Sequence, residues 1–332
     1  MIDFWLIARI LIFPGFTFIL LLTLFCDWLE RKIEARIQNR VGPLVAGPIG
    51  LFQPLADFIK LLTKEEIEPR DAKKTIFKFA PLVAFTIMVF AMCFLPVDGG
   101  SVISAGGFNG DLIVILTFST IASFLLFLSG WASSNPYGTI SSARVLTQFL
   151  GYDIPLFIIA LTPAFIAGSL SIFAIAGYQA TKAVPFIIMA PWAFVLFLIT
   201  MQAELEKDPF DVPDAESELV GGLETEFTGA KLAFLHLTRD VQIVFGAALI
   251  VELFLGGPYG PVIGGLPAFW YSLWFVLKLL AVVIVTEYVT TLFARLRIDQ
   301  VLSANWKIIL PAAILSLMLT VAMVTWVYPL VV

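Results

Sequence analysis

Nine carboxylates and one lysine fall between positions 204 and 226, in a stretch reading AELEKDPFDVPDAESELVGGLETEF. That is nine of the 25 acidic residues of the chain, set between long apolar runs. Desolvating a carboxylate costs several kcal/mol unless it is paired, wet or protonated. Such a cluster therefore points to proton or cation handling, or to a docking surface for a polar partner. A run of charge can equally be a solvated face. Against that, Asp-Pro-Phe-Asp and Val-Pro-Asp stiffen the backbone with two prolines. Glu216 and Glu218 alternate with small or apolar residues, and Leu-Val-Gly-Gly allows close packing or a sharp turn. An ordered, re-entrant acidic loop is the expectation, with Asp211, Glu216 and Glu218 crowded enough for repulsion and desolvation to favour protonation.

Charges inside the apolar runs are the next chemical candidates. Asp153 falls at the start of one run beside Gln148 and Tyr152, Glu252 in the outer half of another, and Lys278 and Glu287 in a third. Lys278 is too deep to snorkel and should face a carboxylate or water. Nine residues separate it from Glu287, which puts the two on opposite helix faces. Arg9 is near enough to an end to snorkel, and His236 suits structural hydrogen bonding. Cys26, Cys93 and His236 are the whole Cys and His inventory, with no CxxC pair. The chain alone can ligate neither an iron–sulfur cluster nor tetrahedral zinc, and it shows no GxGxxG, P-loop or nucleophile elbow. No catalytic or metal-binding residue is expected.

The elements that position these groups are membrane helices. Of 332 residues, 60% are hydrophobic and 14% charged, and mean hydropathy is +0.97. A soluble domain is nearer a quarter charged. The apolar runs suit helices rather than barrel strands, giving an all-α polytopic membrane protein in one integral domain, 1–332. Eight transmembrane helices are expected, at roughly 4–26, 79–97, 112–131, 154–176, 184–203, 241–255, 269–292 and 308–331. The sixth is short, with room to extend back through Leu232 to Leu237. No cleavable leader is evident.

The first loop, 27–78, holds ten of the 20 basic residues, and among the even loops only Lys182 is basic. By the positive-inside rule the odd loops, including the acidic loop at 204–231, face the cytoplasm and both termini lie outside. The first helix is expected to continue as a charged helix until Gly42-Pro43. Leu51, Leu55, Ile59 and Leu62 then recur at helical spacing with Gln53, Asp57, Lys60 and Lys64 between them. This is a short interfacial amphipathic helix, either a surface anchor or the rim of a cavity open to lipid.

Two long motifs carry a resemblance. WLERKIEARIQNRVGPLVAGPIGLFQPLADFIKLLTKE at 28–65, and AELEKDPFDVPDAESELVGG followed by TEFTGAKLA, closely resemble the signatures of the H-subunit family of respiratory complex I (the NADH-quinone oxidoreductase type). GWASSNPYG, Gln148 with Tyr152-Asp153, LFLGG, RLRIDQ and WKIILP add to it, so the resemblance spans essentially the whole chain. It implies the membrane subunit beneath the peripheral electron-carrying arm, walling a quinone cavity and starting the polar path that couples redox chemistry to ion pumping. The same kind of subunit occurs in membrane-bound [NiFe] hydrogenases and sulfane sulfur reductases, where ferredoxin supplies electrons.

Carried over by position, the resemblance assigns Glu204, Asp211, Glu216, Glu218 and Glu226 to the loop acids. It assigns Arg36, Gln38 and Arg40 to the cavity-side basic stretch, Gln53 and Asp57 to the amphipathic helix, and Asp153 to the place of a usual Glu. The loop acids and Asp153, with Glu252 and Lys278, make up the expected ion or proton pathway, and the basic stretch with Gln53 and Asp57 the expected cavity and docking face. Glu206-Lys207-Asp208 stands where quinone-type members usually read Asn-Arg-Ala, Thr238-Arg239-Asp240 where they carry a Glu-Tyr pair, and Thr290 where they carry an arginine. These departures favour the hydrogenase-like branch.

No cofactor is then expected in this chain. Iron–sulfur clusters, and a NiFe centre in a hydrogenase type, would belong to partner subunits: an iron–sulfur small subunit and a hydrogenase-like large subunit. Antiporter-like and other membrane subunits and lipid are the remaining expected partners, in the plasma membrane, without nucleic acid. The alternatives are the chamber subunit of a quinone- or methanophenazine-reducing dehydrogenase of the NADH or F420H2 type, and, from another class, a standalone cation/proton antiporter.

Overall fold

In the computed structural model, residues 4–100, 107–213 and 216–327 are described, without the side chains of 4–6, 216–217 and 326–327. The described residues are helical or irregular, with no strand among them. The first two helices, α1 (Phe4–Leu11) and α2 (Phe16–Ile37), break at Gly15, where a Cβ would lie 1.9 Å from the Ile10 carbonyl oxygen. α2 stops at Ile37, before the expected Gly42-Pro43, because Asn39 turns left-handed at φ 55°. α3 (Gln53–Thr63) is the amphipathic helix, and α4 (Lys74–Met92) and α5 (Asp111–Ala132) follow as an apolar pair. Arg9 does not simply snorkel: its Nη2 pairs with Asp98 at 3.1 Å.

α6 (Pro136–Ala167) reaches well beyond its apolar half. It starts 18 residues before the expected boundary, capped by Asn135 accepting from the Tyr137 N–H at 2.9 Å. Asp153 is therefore inside a 32-residue helix, about 26 Å along its axis, and not at a helix start. Gly168 ends α6 in the left-handed region, so the expected 154–176 span divides between α6 and α7 (Ile172–Lys182).

The fifth expected span becomes a single turn, α8 (Phe186–Met189), and α9 (Pro191–Glu204). α9 has 14 residues, about 21 Å, short of a ~30 Å hydrocarbon core. Among the described residues, seven helical stretches are long and apolar enough to cross a membrane: Ile7–Ile37, Lys74–Met92, Asp111–Ala132, Pro136–Ala167, Gly229–Phe254, Pro267–Leu292 and Ile298–Thr325. The fifth expected span is thus two short helices, and the irregular acidic loop follows them. Irregular backbone is tolerated at membrane depth only when protein surrounds it, and here Phe210 and Val212 pack with Tyr152, Ala203 and Val301.

After the turns α10 (Glu216–Leu219) and Gly222–Glu224, α11 (Gly229–Phe254) runs up the middle of the bundle. It contacts α2, α3, α4, α7 and α9, and then α12 (Pro267–Leu292). Its apolar window is 78% buried against 22–50% for the other six. Protein rather than lipid surrounds α11, which is why it can carry Lys231, His236, Arg239, Asp240 and Glu252. α13 (Ile298–Ala304) and α14 (Leu310–Ala322) complete the bundle against α6.

Candidate functional site

The acidic loop is fixed to α6 by a row of side chains. Gln148 donates to the Ala203 carbonyl at 2.9 Å, Arg144 to Val212 at 3.3 Å and Ser141 to Pro213 at 2.9 Å. Positions 141, 144 and 148 share one helix face by their three- and four-residue spacing. Arg144 also pairs with Glu218 at 2.7 Å, Asp211 pairs with Arg295, and Asn135 donates to Glu226. Asp211, Glu218 and Glu226 therefore each meet a cation or a donor. Asp214 and the side chain of Glu216 lie outside what is described.

At the lower end of the loop Glu204 enters the bundle. It is 6% exposed and accepts from Ser119 of α5, leaving Oε2 without a hydrogen-bond partner. The neighbouring Thr120 donates to Asp153 at 3.1 Å, and the charge of Asp153 acts on Glu204. Ser119 lies eight residues into α5 from the end remote from the acidic loop, so this pair of acids sits at mid-depth. Tyr152 joins Ser123, which accepts from Gln242 of α11 at 3.4 Å. Glu204 and Asp153 each meet a hydroxyl of α5, from the neighbouring Ser119 and Thr120, which sequence reading had not singled out.

The upper end is a cation-centred network that sequence reasoning largely missed. Lys207 Nζ lies 2.6 Å from Glu30 of α2 and 3.0 Å from Glu287 of α12. All three side chains are at most 15% exposed. Burial disfavours the Lys207 charge, but the two carboxylates outweigh it and raise its pKa above the usual lysine value. Beside this triad, Arg31 binds Asp27 at 2.8 Å and Asp57 at 2.7 Å, and Gln53 donates to Asp57 at 2.9 Å. Asp27, Arg31, Asp57, His236 and Asp240 line a small cavity of about 70 Å³. Glu224 is bound by Arg239 at 3.0 Å and His236 Nε2 at 3.1 Å. Burial opposes its ionisation, yet these two groups prevail and place its pKa at about 2.

The basic stretch divides. Arg36 and Arg40 line a cavity of about 630 Å³ with Trp28, Lys32, Ile49 and Tyr288. Arg40 also pairs with Glu34 at 2.8 Å, to which Gln38 donates at 2.9 Å. Gln53 and Asp57 face α2 rather than this cavity. Glu252 and Lys278 lie apart from all of these, at the far end of α11. Among the described residues no group of three His, Cys, Asp or Glu could hold a metal ion.

A family model described as NADH dehydrogenase matches residues 10–321. The chain is 37% identical over 320 residues to the H subunit of NADH-quinone oxidoreductase from Dehalococcoides mccartyi (strain CBDB1), covering 96% of this chain and 88% of that protein. This chain belongs to the H-subunit family of complex I. The corresponding H subunits of Protochlamydia amoebophila (strain UWE25) and Geobacillus kaustophilus (strain HTA426) are each 37% identical, over 304 and 300 residues. They cover 89% and 90% of this chain, and 91% and 88% of their own lengths. As a member of that family the chain is a membrane subunit whose partners are other complex-I-type subunits. Within that family frame, the residues that pointed least clearly to the site were Asp27, Glu30 and Glu287. Their one sequence signal was acidity at the ends of apolar runs.

Proposed function

We propose that this chain anchors a peripheral redox module and passes its state to ion-moving subunits of a complex-I-related respiratory complex. One observation carries this reading: a single loop joins Lys207, clamped between Glu30 and Glu287, to Glu204 at mid-depth beside Asp153. A charge change at the loop's upper end is felt along it with little solvent screening. The charged loops face the cytoplasm and both termini lie outside, in the plasma membrane. The pathway runs through Asp153, Glu204, Asp211, Glu216, Glu218 and Glu226.

The peripheral module in this reading is ferredoxin-linked, of the hydrogenase or sulfur-reductase type, with antiporter-like subunits as the pumps. Its support is the Glu206-Lys207-Asp208 segment, in which Lys207 ties two helices together beside the Arg36 and Arg40 cavity. A quinone-reducing module is the second reading. The similar proteins, named as H subunits of NADH-quinone oxidoreductase, and the size of that cavity speak for it. The intact complex, assayed with its soluble donor and with quinone analogues and quinone-site inhibitors, separates the two. Turnover that needs quinone and stops with the inhibitors would overturn the ferredoxin-linked assignment. Unchanged ion transport in an assembled Glu204→Gln complex would overturn the coupling role itself.

A further inference from the structure

At the end of α11 remote from the acidic loop, about 32 Å along the axis from Lys231, stands a second buried acid. Glu252 is 0% exposed, and neither of its carboxylate oxygens has a hydrogen-bond partner. The backbone of Gly257 packs onto it: a Cβ there would fall 2.4 Å from Glu252 Oε2 and 2.8 Å from Ala176 Cβ. Gly257 has φ +54°, so both space and conformation select glycine. An ionised carboxylate cannot be left in such a place without a compensating charge or donor.

The charge that acts on Glu252 is Lys278. Its ammonium is turned instead into the loop after α11, donating to the carbonyls of Leu255, Gly257 and Tyr259, each at 2.8 Å. Three carbonyls satisfy all three ammonium donors, so the cation does not need the acid. Lys278 also borders a cavity of about 670 Å³, lined by Gln179, Leu255, Gly256, Tyr259 and Tyr271. Gln179 fixes the floor, donating to the Glu252 carbonyl at 3.2 Å and accepting from the Phe186 N–H at 2.9 Å. Acid, cation and opening are thus adjacent while the acid lacks a partner.

We propose that Glu252 and Lys278 form a proton-exchange site that opens to this cavity, with Lys278 as a tethered counter-ion. In the arrangement seen, Glu252 carries its proton and Lys278 rests on the carbonyls. When the Glu252 O–H bond breaks, the proton passes to water in the cavity as hydronium. The ammonium then leaves the carbonyls and pairs with the new carboxylate, keeping its own three protons throughout. The site loses one proton and one positive charge, and the reverse steps restore it. The groups facing Glu252 are Lys278 from α12 and Tyr259 from the loop, with Tyr271 behind Tyr259. α7 contributes the non-titrating Gln179. The site stands independently of which redox module docks, and the coupling reading can fail without it.

The test is carbodiimide modification of the intact complex in liposomes, read by peptide mass spectrometry, since dicyclohexylcarbodiimide attacks protonated carboxyls in apolar surroundings. Glu252 should be modified at neutral pH. In alkaline buffer its modification should fall by about tenfold for each pH unit once the acid ionises. Lys278→Met, which removes the counter-ion, should keep the modification high in alkaline buffer. Lys278→Arg, which preserves the charge and controls for folding, should behave as the wild type. No modification of Glu252, or the same alkaline fall in Lys278→Met, would overturn the proposal. Protection by added sodium at constant pH would also overturn it, by assigning the acid to a metal cation.

Discussion

Glu30 of α2 and Glu287 of α12 share one ammonium, that of Lys207, at 2.6 and 3.0 Å. Two helices distant in sequence are thereby joined through a loop residue, and none of the three charges is independent of the other two.

Removing the shared cation should be costly. Lys207→Met leaves two buried carboxylates facing each other, and breaking a buried ion pair typically costs about 3–5 kcal/mol. The variant complex should lose thermal stability in detergent by a clearly measurable margin. Adding Glu30→Gln and Glu287→Gln should recover much of it. A Lys207→Met complex that melts like the wild type would show that the triad is not a structural bond.

The loop acids should separate by depth. Glu218 is 59% exposed where it meets Arg144, and pairs of that kind contribute about 0–1 kcal/mol. Glu204 is buried with an unpartnered oxygen. Glu204→Gln should therefore reduce coupled ion transport in reconstituted vesicles far more than Glu218→Gln, with both complexes assembled. Equal losses would mean that the loop responds as one charge rather than as a graded path.

The pH dependence follows from two groups outside the membrane-crossing helices. Glu224 titrates at about 2 in place of 4.5, so its contribution is complete above 4.5 and lost as pH falls towards 2. Lys207 is shifted upward from 10.5, so its contribution is complete below 10.5 and lost as pH rises through its folded value. Glu224→Gln should flatten the acid limb, which melts across the pH range would reveal.

The contact between Asp211 and Arg295, with the Leu296 N–H donating to the Pro209 carbonyl at 2.9 Å, pins the loop to the chain before α13. Arg295→Ala should make residues 206–213 more sensitive to limited proteolysis while leaving α9 protected. Unaltered cleavage would place the loop's order in its α6 contacts alone.

Much of this was legible in the sequence because it depends on local pattern. Leu51, Leu55, Ile59 and Leu62 disclosed α3, and the density of carboxylates disclosed the loop. What escaped depends on neighbours. Ser141, Arg144 and Gln148 look like loop residues by hydropathy, yet they form the helix face that receives the acidic segment. α11 has the lowest hydropathy of the seven spans, 1.5, because its surroundings are protein. No spacing rule could join Lys207 to Glu30 and Glu287, since three separate elements contribute one side chain each.

The amphipathic helix α3 is strapped at its middle and just beyond its end. Asp57 is tied to α2 through Arg31. Beyond Thr63, the Ile67 N–H donates to Thr228 at 2.9 Å, and Lys231 of α11 binds Glu66 at 3.3 Å and Glu68 at 2.6 Å. α3 thus works as a tie-bar between α2 and α11, and cannot swing outward like a free gate. Anything that widens the space beneath it has to push α2 and α11 away from each other, or stretch a strap anchored in charge. A small tilt of α11 would be delivered to α3 as a pull along its length.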